Sequence, residues 1–178
     1  MKTINLIIGA LLLSSAAPAE TLKGRISFTA ETNVKMFRFK AETSDFLARI
    51  ARTGSDLSSL EIRIPVASLK TGMNLRDKHT NERIFTASDG SLPDVVFKAE
   101  KASCTGSEAE RKCEVPGELS FRGVEKPAVV SLTLKDGKEL EGGTLVDVLD
   151  FGVKPEHLTW TTVRVNSKVP VSFEGELN

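Results

Sequence analysis

Apolar and polar residues alternate along most of the chain, with the period of two that is typical of a β-strand with one buried face. In the segment LEIRIPV, residues 60–66, every second residue is apolar, and Pro65 marks the end of the strand. The same alternation occurs in the segments 26–30, 37–41, 46–51, 95–99, 119–121, 128–134 and 145–151. Residues 163–173 continue it with valine or phenylalanine at every second position except Ser167, and predict one long, bent final strand. The pattern therefore predicts an all-β protein.

Turn signals separate these segments. Asp136-Gly137 predicts a hairpin, and residues 123–127 predict a second turn ahead of the strand that begins at Ala128. The count is eight or nine strands, and closing such an antiparallel set into a barrel removes its exposed edges. We therefore expect a single antiparallel barrel of about eight strands, with an interior wide enough for one elongated small ligand.

Residues 71–98 interrupt the alternation. Thr71-Gly72 is a turn signal, and Asn74 is a candidate cap for a short helix because its side-chain oxygen can accept a first-turn N–H. One helical turn then carries the ionisable sequence RDKH, residues 76–79, and Pro93 precedes the next strand. We expect the only helix of the barrel here, after the fourth strand region.

The first residues are typical of a signal peptide: Lys2, an apolar run at residues 6–13 and the small-residue sequence Ala17-Pro18-Ala19. We expect residues 1–19 to be removed and residues 20–178 to form one periplasmic or secreted domain without a membrane anchor. The 24 basic and 24 acidic side chains balance, which argues against a nucleic-acid partner. Transient membrane contact remains open, as does the choice between monomer and dimer.

Cys104 and Cys113 flank a polar loop between two strand-like segments. In an oxidising compartment an even pair around a hairpin predicts a disulfide. A metal site would need further Cys or His ligands nearby, and a redox site would need C-x-x-C spacing. We expect a structural disulfide, no metal and no cofactor.

Two motifs resemble the YceI-like family of secreted lipocalin-like proteins. The first is carried by Thr71, Gly72, Arg76, Asp77, His79 and Pro93. It continues into Phe97, and the family's aromatic pair is reduced to Ile84-Phe85. The second is GELSFRGVEKPAVVSLTL, residues 117–134. The resemblance implies a lipocalin-like barrel that holds a polyisoprenoid chain.

The chain has nine phenylalanines, one tryptophan and no tyrosine. An interior lined by such residues suits a ligand that offers no hydrogen bonds, although plain core packing is the better explanation for any single one of them. The candidate lining residues are Phe28, Phe37, Phe39, Phe46, Ile62, Ile64, Phe85, Phe97, Phe121, Leu132, Phe151 and Trp160. A fatty-acid or other amphiphile binder, and a stress-protective protein with a self-filled core, stay open as alternatives.

Arg76, Asp77 and His79 have two interpretations. They either contact a ligand head group or hold the helix against neighbouring strands, and we favour the structural role because polar groups at a barrel rim commonly satisfy backbone. A hydrolase built on Asp77 and His79 is the least favoured class, since no nucleophile motif accompanies them. The sequence predicts a binding protein and not an enzyme.

Overall fold

The structure is a computed structural model that describes residues 19–34, 37–54, 56–160 and 162–178, with the side chain of Trp160 outside the described part. Apart from Ala19, the predicted signal peptide lies outside these residues. The strands are β1 (Ala19–Glu31), β2 (Arg38–Thr43), β3 (Leu47–Thr53), β4 (Asp56–Ile64), β5 (Val95–Ala99), β6 (Ser103–Gly106), β7 (Glu110–Phe121), β8 (Val124–Lys135), β9 (Glu139–Asp147), β10 (Thr159–Trp160), β11 (Val163–Arg164) and β12 (Lys168–Leu177). Short 3₁₀ turns lie at Val66–Ser68, Val148–Phe151 and Pro155–Leu158.

Eight antiparallel strands form a closed ring in the order β1, β3, β4, β5, β7, β8, β9 and β12, and β12 pairs again with β1. This confirms the predicted barrel. Two further strands extend the wall, β2 beside β1 and β6 beside β7, while β10 and β11 form a separate two-stranded sheet. Closure follows from the register, in which Leu22 pairs with Leu177 and Phe28 with Val171.

β1 changes partner along its length. Its first residues pair with β3, and from Ile26 to Glu31 the strand pairs with β2 instead. β3 and β2 therefore pair with successive parts of β1. The helix lies at the end of the barrel where β1 finishes.

The helix follows β4, as predicted. It comprises α1 (Asn74–Thr80) and a wider π-helical turn at Asn81–Phe85. The prediction that Asn74 caps it is wrong, because Met73 occupies the cap position and makes no side-chain capping bond. Asp77 reaches back instead, accepting hydrogen bonds from the N–H of Thr71 at 2.8 Å and from its hydroxyl at 2.6 Å.

The start of β8 also differs from the prediction. The turn expected at residues 123–127 is the pair Arg122-Gly123, with φ of 56° and 75°, and β8 begins directly at Val124. Pro127 is tolerated inside β8 because β9 pairs only with residues 131–135, which leaves one edge of the strand open there.

The long final strand is interrupted at residues 165–167. Asn166 donates its N–H to the carbonyl of Glu31 at 2.8 Å, and Ser167 accepts at its carbonyl from the N–H of Val148 at 2.9 Å. The chain therefore crosses from the end of β1 to the end of β9 before β12 begins.

Half of the barrel interior is packed with side chains. At the end where β1 starts, the interior is filled by buried residues that include Leu22, Ile50, Leu60, Val115, Leu132, Leu134 and Leu140. The disulfide between Cys104 and Cys113 ties β6 to β7 across this end, where the two cysteines are direct partners in the sheet. The other half of the interior is open.

Candidate ligand-binding cavity

The open half of the barrel is a cavity of about 400 Å³, which lies within the usual size range of small-molecule sites. Its walls come from the halves of the ring strands that lie toward the helix, where the inward residues alternate with exposed ones. The aliphatic wall includes Ile26, Ile62, Ile64, Val95, Leu119, Val130, Val146, Val169 and Val171. Apart from its opening, the cavity is therefore almost entirely apolar.

Two phenylalanine rings are seated against glycines in neighbouring strands. A Cβ on Gly117 would approach Cζ of Phe97 to 2.7 Å, and a Cβ on Gly142 would approach Cζ of Phe173 to 2.6 Å. Real Cβ atoms do not come this close, so each glycine makes room for a ring that lines the cavity. The two rings lie near the boundary with the filled half, because Leu119 and Val130 line the cavity while Val115 and Leu132 do not.

The helix forms the cover of the cavity and is docked by a chain of aromatic rings. Phe85 lies between Phe28, at a centroid distance of 6.0 Å, and Phe121, at 5.7 Å, in edge-to-face arrangements. Phe151 continues the chain behind Phe121 at 5.4 Å. Such pairs each contribute about 0.5–1.5 kcal/mol beyond area burial, so the C-terminal end of the helix is held firmly to the barrel.

Polar contacts fasten the same end of the helix. Arg122, in the turn between β7 and β8, donates from one guanidinium nitrogen to the carbonyls of Arg83 and Ile84, both at 3.0 Å. His157 lies with Nδ1 at 3.1 Å from the carbonyl of Arg83. A cation suits the last carbonyls of a helix, which lack partners within the helix. Burial lowers the pKa of Arg122, and the guanidinium nevertheless stays charged at neutral pH.

The opening of the cavity is polar and basic. From the helix it is lined by Arg76, His79, Thr80 and Arg83, and from the loop before β10 by His157. The guanidinium of Arg76 lies 4.6 Å from the ring centroid of Phe39, a cation–π contact, and donates to the sulfur of Met73 at 2.7 Å.

Asp77 is not among the residues that line the opening. Its hydrogen bonds from Thr71, led by the one from the Thr71 hydroxyl, lower the pKa of its carboxyl. Thr71, Gly72 and Asp77 all belong to the first motif described above. Gly72 adopts φ of 80° and so makes the turn that brings Thr71 back to the helix. Asp77 is therefore occupied in shaping the turn that leads into the helix.

The predicted lining residues lie in three environments: the cavity wall, the packed interior and the exposed surface. Those that line the cavity are Phe28, Phe39, Ile62, Ile64, Phe85, Phe97 and Phe121. Leu132 lies in the filled half, Phe46 packs half-buried against the core, and Phe151 stands behind Phe121. Phe37 is 56% exposed, and the Trp160 side chain lies outside the described residues. Contact of any of them with a ligand stays a prediction.

Arg83 is a lining residue that the sequence reasoning missed. It stands seven residues, or two helical turns, after Arg76, and this spacing was the available signal. Thr71 and His79 of the motif also line the cavity, whereas Pro93 precedes β5 as predicted.

Within the described part of the chain, no group of three or more His, Cys, Asp or Glu side chains is placed to hold a metal ion. In the same residues, no helix has the length and apolar character needed to cross a membrane.

Comparison with known proteins matches residues 19–177 to the YceI-like domain. A UPF0312 protein of Pseudomonas syringae pv. syringae is 30% identical over 129 residues. That alignment covers 67% of this chain and 63% of the Pseudomonas protein, so the matched part spans less than two thirds of this relative.

Two solved structures share the fold at low sequence identity. Burkholderia cenocepacia BcnA has a TM-score of 0.68 and 18% identity, with 88% of this chain and 96% of that chain covered. A polyisoprenoid binding domain from Saccharophagus degradans, implicated in plant cell wall breakdown, has a TM-score of 0.67 and 12% identity, with 92% and 99% covered. Both likenesses concern the architecture of the barrel.

Proposed function

Because the chain belongs to the YceI-like family, we propose that it is an exported lipid-binding protein that holds a long apolar chain inside its barrel, for storage or transport and without catalysis. The chain is of the polyisoprenoid or isoprenoid-quinone type. The observation that carries this proposal is the half-open interior, an apolar cavity of about 400 Å³ that ends at a covered, polar opening. An open interior favours a binding protein over a structural protein with a self-filled core.

The energetics favour a carrier over a tight store. Each buried CH₂ contributes about 0.8 kcal/mol relative to water, but an isoprenoid chain resides in a bilayer and not in water. Its transfer from one apolar environment to another therefore changes the free energy little, so that loading is readily reversible.

The isoprenoid is chosen because a polyisoprenoid binding domain shares the fold. A fatty acid or another amphiphile meets the same apolar wall and is an outcome that the experiment below distinguishes. The disulfide supports export, because such bonds persist in oxidising compartments. The two hydrogen bonds from Thr71 to Asp77 argue against a hydrolase in which Asp77 orients His79.

Native mass spectrometry of protein purified without detergent, followed by organic extraction, tests the proposal. Bound species whose masses differ by five-carbon units support the isoprenoid, and a fatty acyl species keeps the carrier but changes its cargo. Protein that is always empty and takes up no added polyprenyl chain would contradict the proposal.

A matched pair of variants on β8 locates the binding site. Ala128 lines the cavity, while its neighbour Val129 is 50% exposed on the outer face. We expect Ala128→Phe to fill the cavity and abolish uptake, and Val129→Phe to bind as the parent does. Equal uptake by both variants would place the ligand elsewhere.

A further inference from the structure

The helix over the cavity presents an unexpected face to it. A helix that covers an apolar space normally turns its apolar stripe inward. Here the helix lines the cavity with Leu75, Ile84 and Phe85, but also with Arg76, His79, Thr80 and Arg83. These four polar residues follow one another at spacings of three, four and seven from Arg76, which place them on one side of the helix. The anchoring of the helix by Phe85 does not require this basic face.

The charge at the opening is of one sign. Among the described residues that line the cavity there are two arginines and two histidines, and no aspartate or glutamate. The ion pairs of the described residues include neither Arg76 nor Arg83. The two carboxylates adjacent to these arginines in sequence have other partners: Asp77 accepts hydrogen bonds from Thr71, and Glu82 pairs with Lys78 at 3.8 Å.

Packing accounts for part of this arrangement only. The stacking of Arg76 on Phe39 explains why an arginine is tolerated beside an apolar wall. It leaves most of the guanidinium donors available, since one nitrogen bonds to Met73 and the side chain carries five N–H groups. Arg83 is exposed, and within the described residues no acceptor for its guanidinium is found. A second arginine on the same face has no structural role that the contacts reveal.

We propose that this basic opening binds the anionic head group, a phosphate or a carboxylate, of the chain held in the cavity. Arg76 and Arg83 supply the charge-assisted hydrogen bonds, which arginine makes well to both kinds of oxyanion. The Thr80 hydroxyl offers a further donor. The tail then extends from the helix toward Phe97 and Phe173. This inference rests on the proposed function, since it assigns the head group of the same ligand.

The test compares ligands that share a tail and differ in head-group charge. Geranylgeranyl monophosphate is compared with geranylgeraniol, and eicosanoic acid with eicosanol, by native mass spectrometry. We expect the charged member of at least one pair to bind about tenfold more tightly, the effect of one charge-assisted hydrogen bond. The pair that shows the preference tells phosphate from carboxylate. Added salt should weaken the preference, because the opening faces solvent.

Variants assign the preference to the two arginines. Arg83→Gln changes an exposed side chain and should fold normally. Together with Arg76→Gln it should remove the preference, so that the charged and neutral members of each pair bind the double variant with affinities within about twofold of each other. Arg49→Gln is the control, because Arg49 pairs with Glu61 and is absent from the cavity lining, and it should retain the full preference. Equal affinity of the wild type for charged and neutral ligands would overturn the head-group site and leave the carrier intact. Binding of none of the four ligands would instead contradict the proposed function.

Discussion

Arg122 is the side chain whose removal should loosen the cover of the cavity most directly. It bonds the carbonyls of Arg83 and Ile84 at 3.0 Å, and hydrogen bonds from a charged donor each contribute about 1.5–3 kcal/mol. Because Arg122 is only half-buried, water replaces part of this contribution. We therefore expect Arg122→Ala to cost about 2 kcal/mol, which lowers Tm by about 4–8 °C in a chain of this size.

The backbone of the same residue provides an internal check. Arg122 has φ of 56°, and a left-handed conformation costs a residue with a Cβ about 1–2 kcal/mol. Arg122→Gly loses the same hydrogen bonds but relieves this strain, so it should cost only about 1 kcal/mol. Glycine should thus be better tolerated than alanine.

Asp136 is the matched control, since it occupies an equivalent turn position with φ of 48° and lies far from the helix in sequence. The gap between its glycine and alanine variants should equal the gap at Arg122. Calorimetry measures the stabilities, and hydrogen exchange of residues 74–86 should accelerate in both Arg122 variants and in neither Asp136 variant. If Arg122→Ala melted like the parent and left exchange unchanged, the helix would not depend on this contact.

Two other predictions concern the disulfide and the turn before the helix. Replacing Cys104 and Cys113 together by serine should lower stability by roughly 2–3 kcal/mol through the chain entropy of the opened loop, and Tm by about 4–12 °C; an unchanged Tm in calorimetry would refute this. Thr71 lowers the pKa of Asp77 in the folded state. The resulting stability is present above the unfolded pKa of about 3.9 and is lost as pH falls through the folded pKa. The urea midpoints of the parent and Asp77→Asn should therefore differ most near neutral pH and converge in acid, and a gap that stayed constant down to about pH 2 would contradict the reasoning.

The alternation of residues sufficed to predict the barrel, because the inward parity of a strand is a local property. Residues 60–64 and 128–134 follow it closely. The alternation does not show how far along the barrel axis an inward-pointing residue lies. Val130 lines the cavity and Leu132 lies in the filled half, yet both point inward from one strand. The two residues differ in environment because of the register between strands that are distant in sequence. A local sequence pattern carries no information about that register.

The candidate site was predictable in composition and less so in arrangement. Arg76, Asp77 and His79 were recognised as a group, but the structure separates them: Asp77 binds Thr71 while the other two line the cavity. Helical spacing places Arg83 on the same face as Arg76, but its importance depends on what that face meets. Only the packing of Phe85 between Phe28 and Phe121 decides this.

The cavity is enclosed only when β1 pairs with β12, the last strand of the chain. Hairpins such as β7–β8 and β8–β9 join neighbours in sequence, whereas the ring closes only when Leu22 meets Leu177. Bringing such distant segments together carries a large loop-closure entropy, so this ladder is expected to form late in folding. A partly made chain therefore lacks the enclosed space in which we propose that the ligand is held.

The same seam is the place where the loss of one strand would open the cavity. If β12 separated after a proteolytic cut ahead of it, β1 and β9 would have unpaired edges, and the cavity wall would lose Val169, Val171 and Phe173. A ligand held there, as we propose, would lose its enclosure together with this strand.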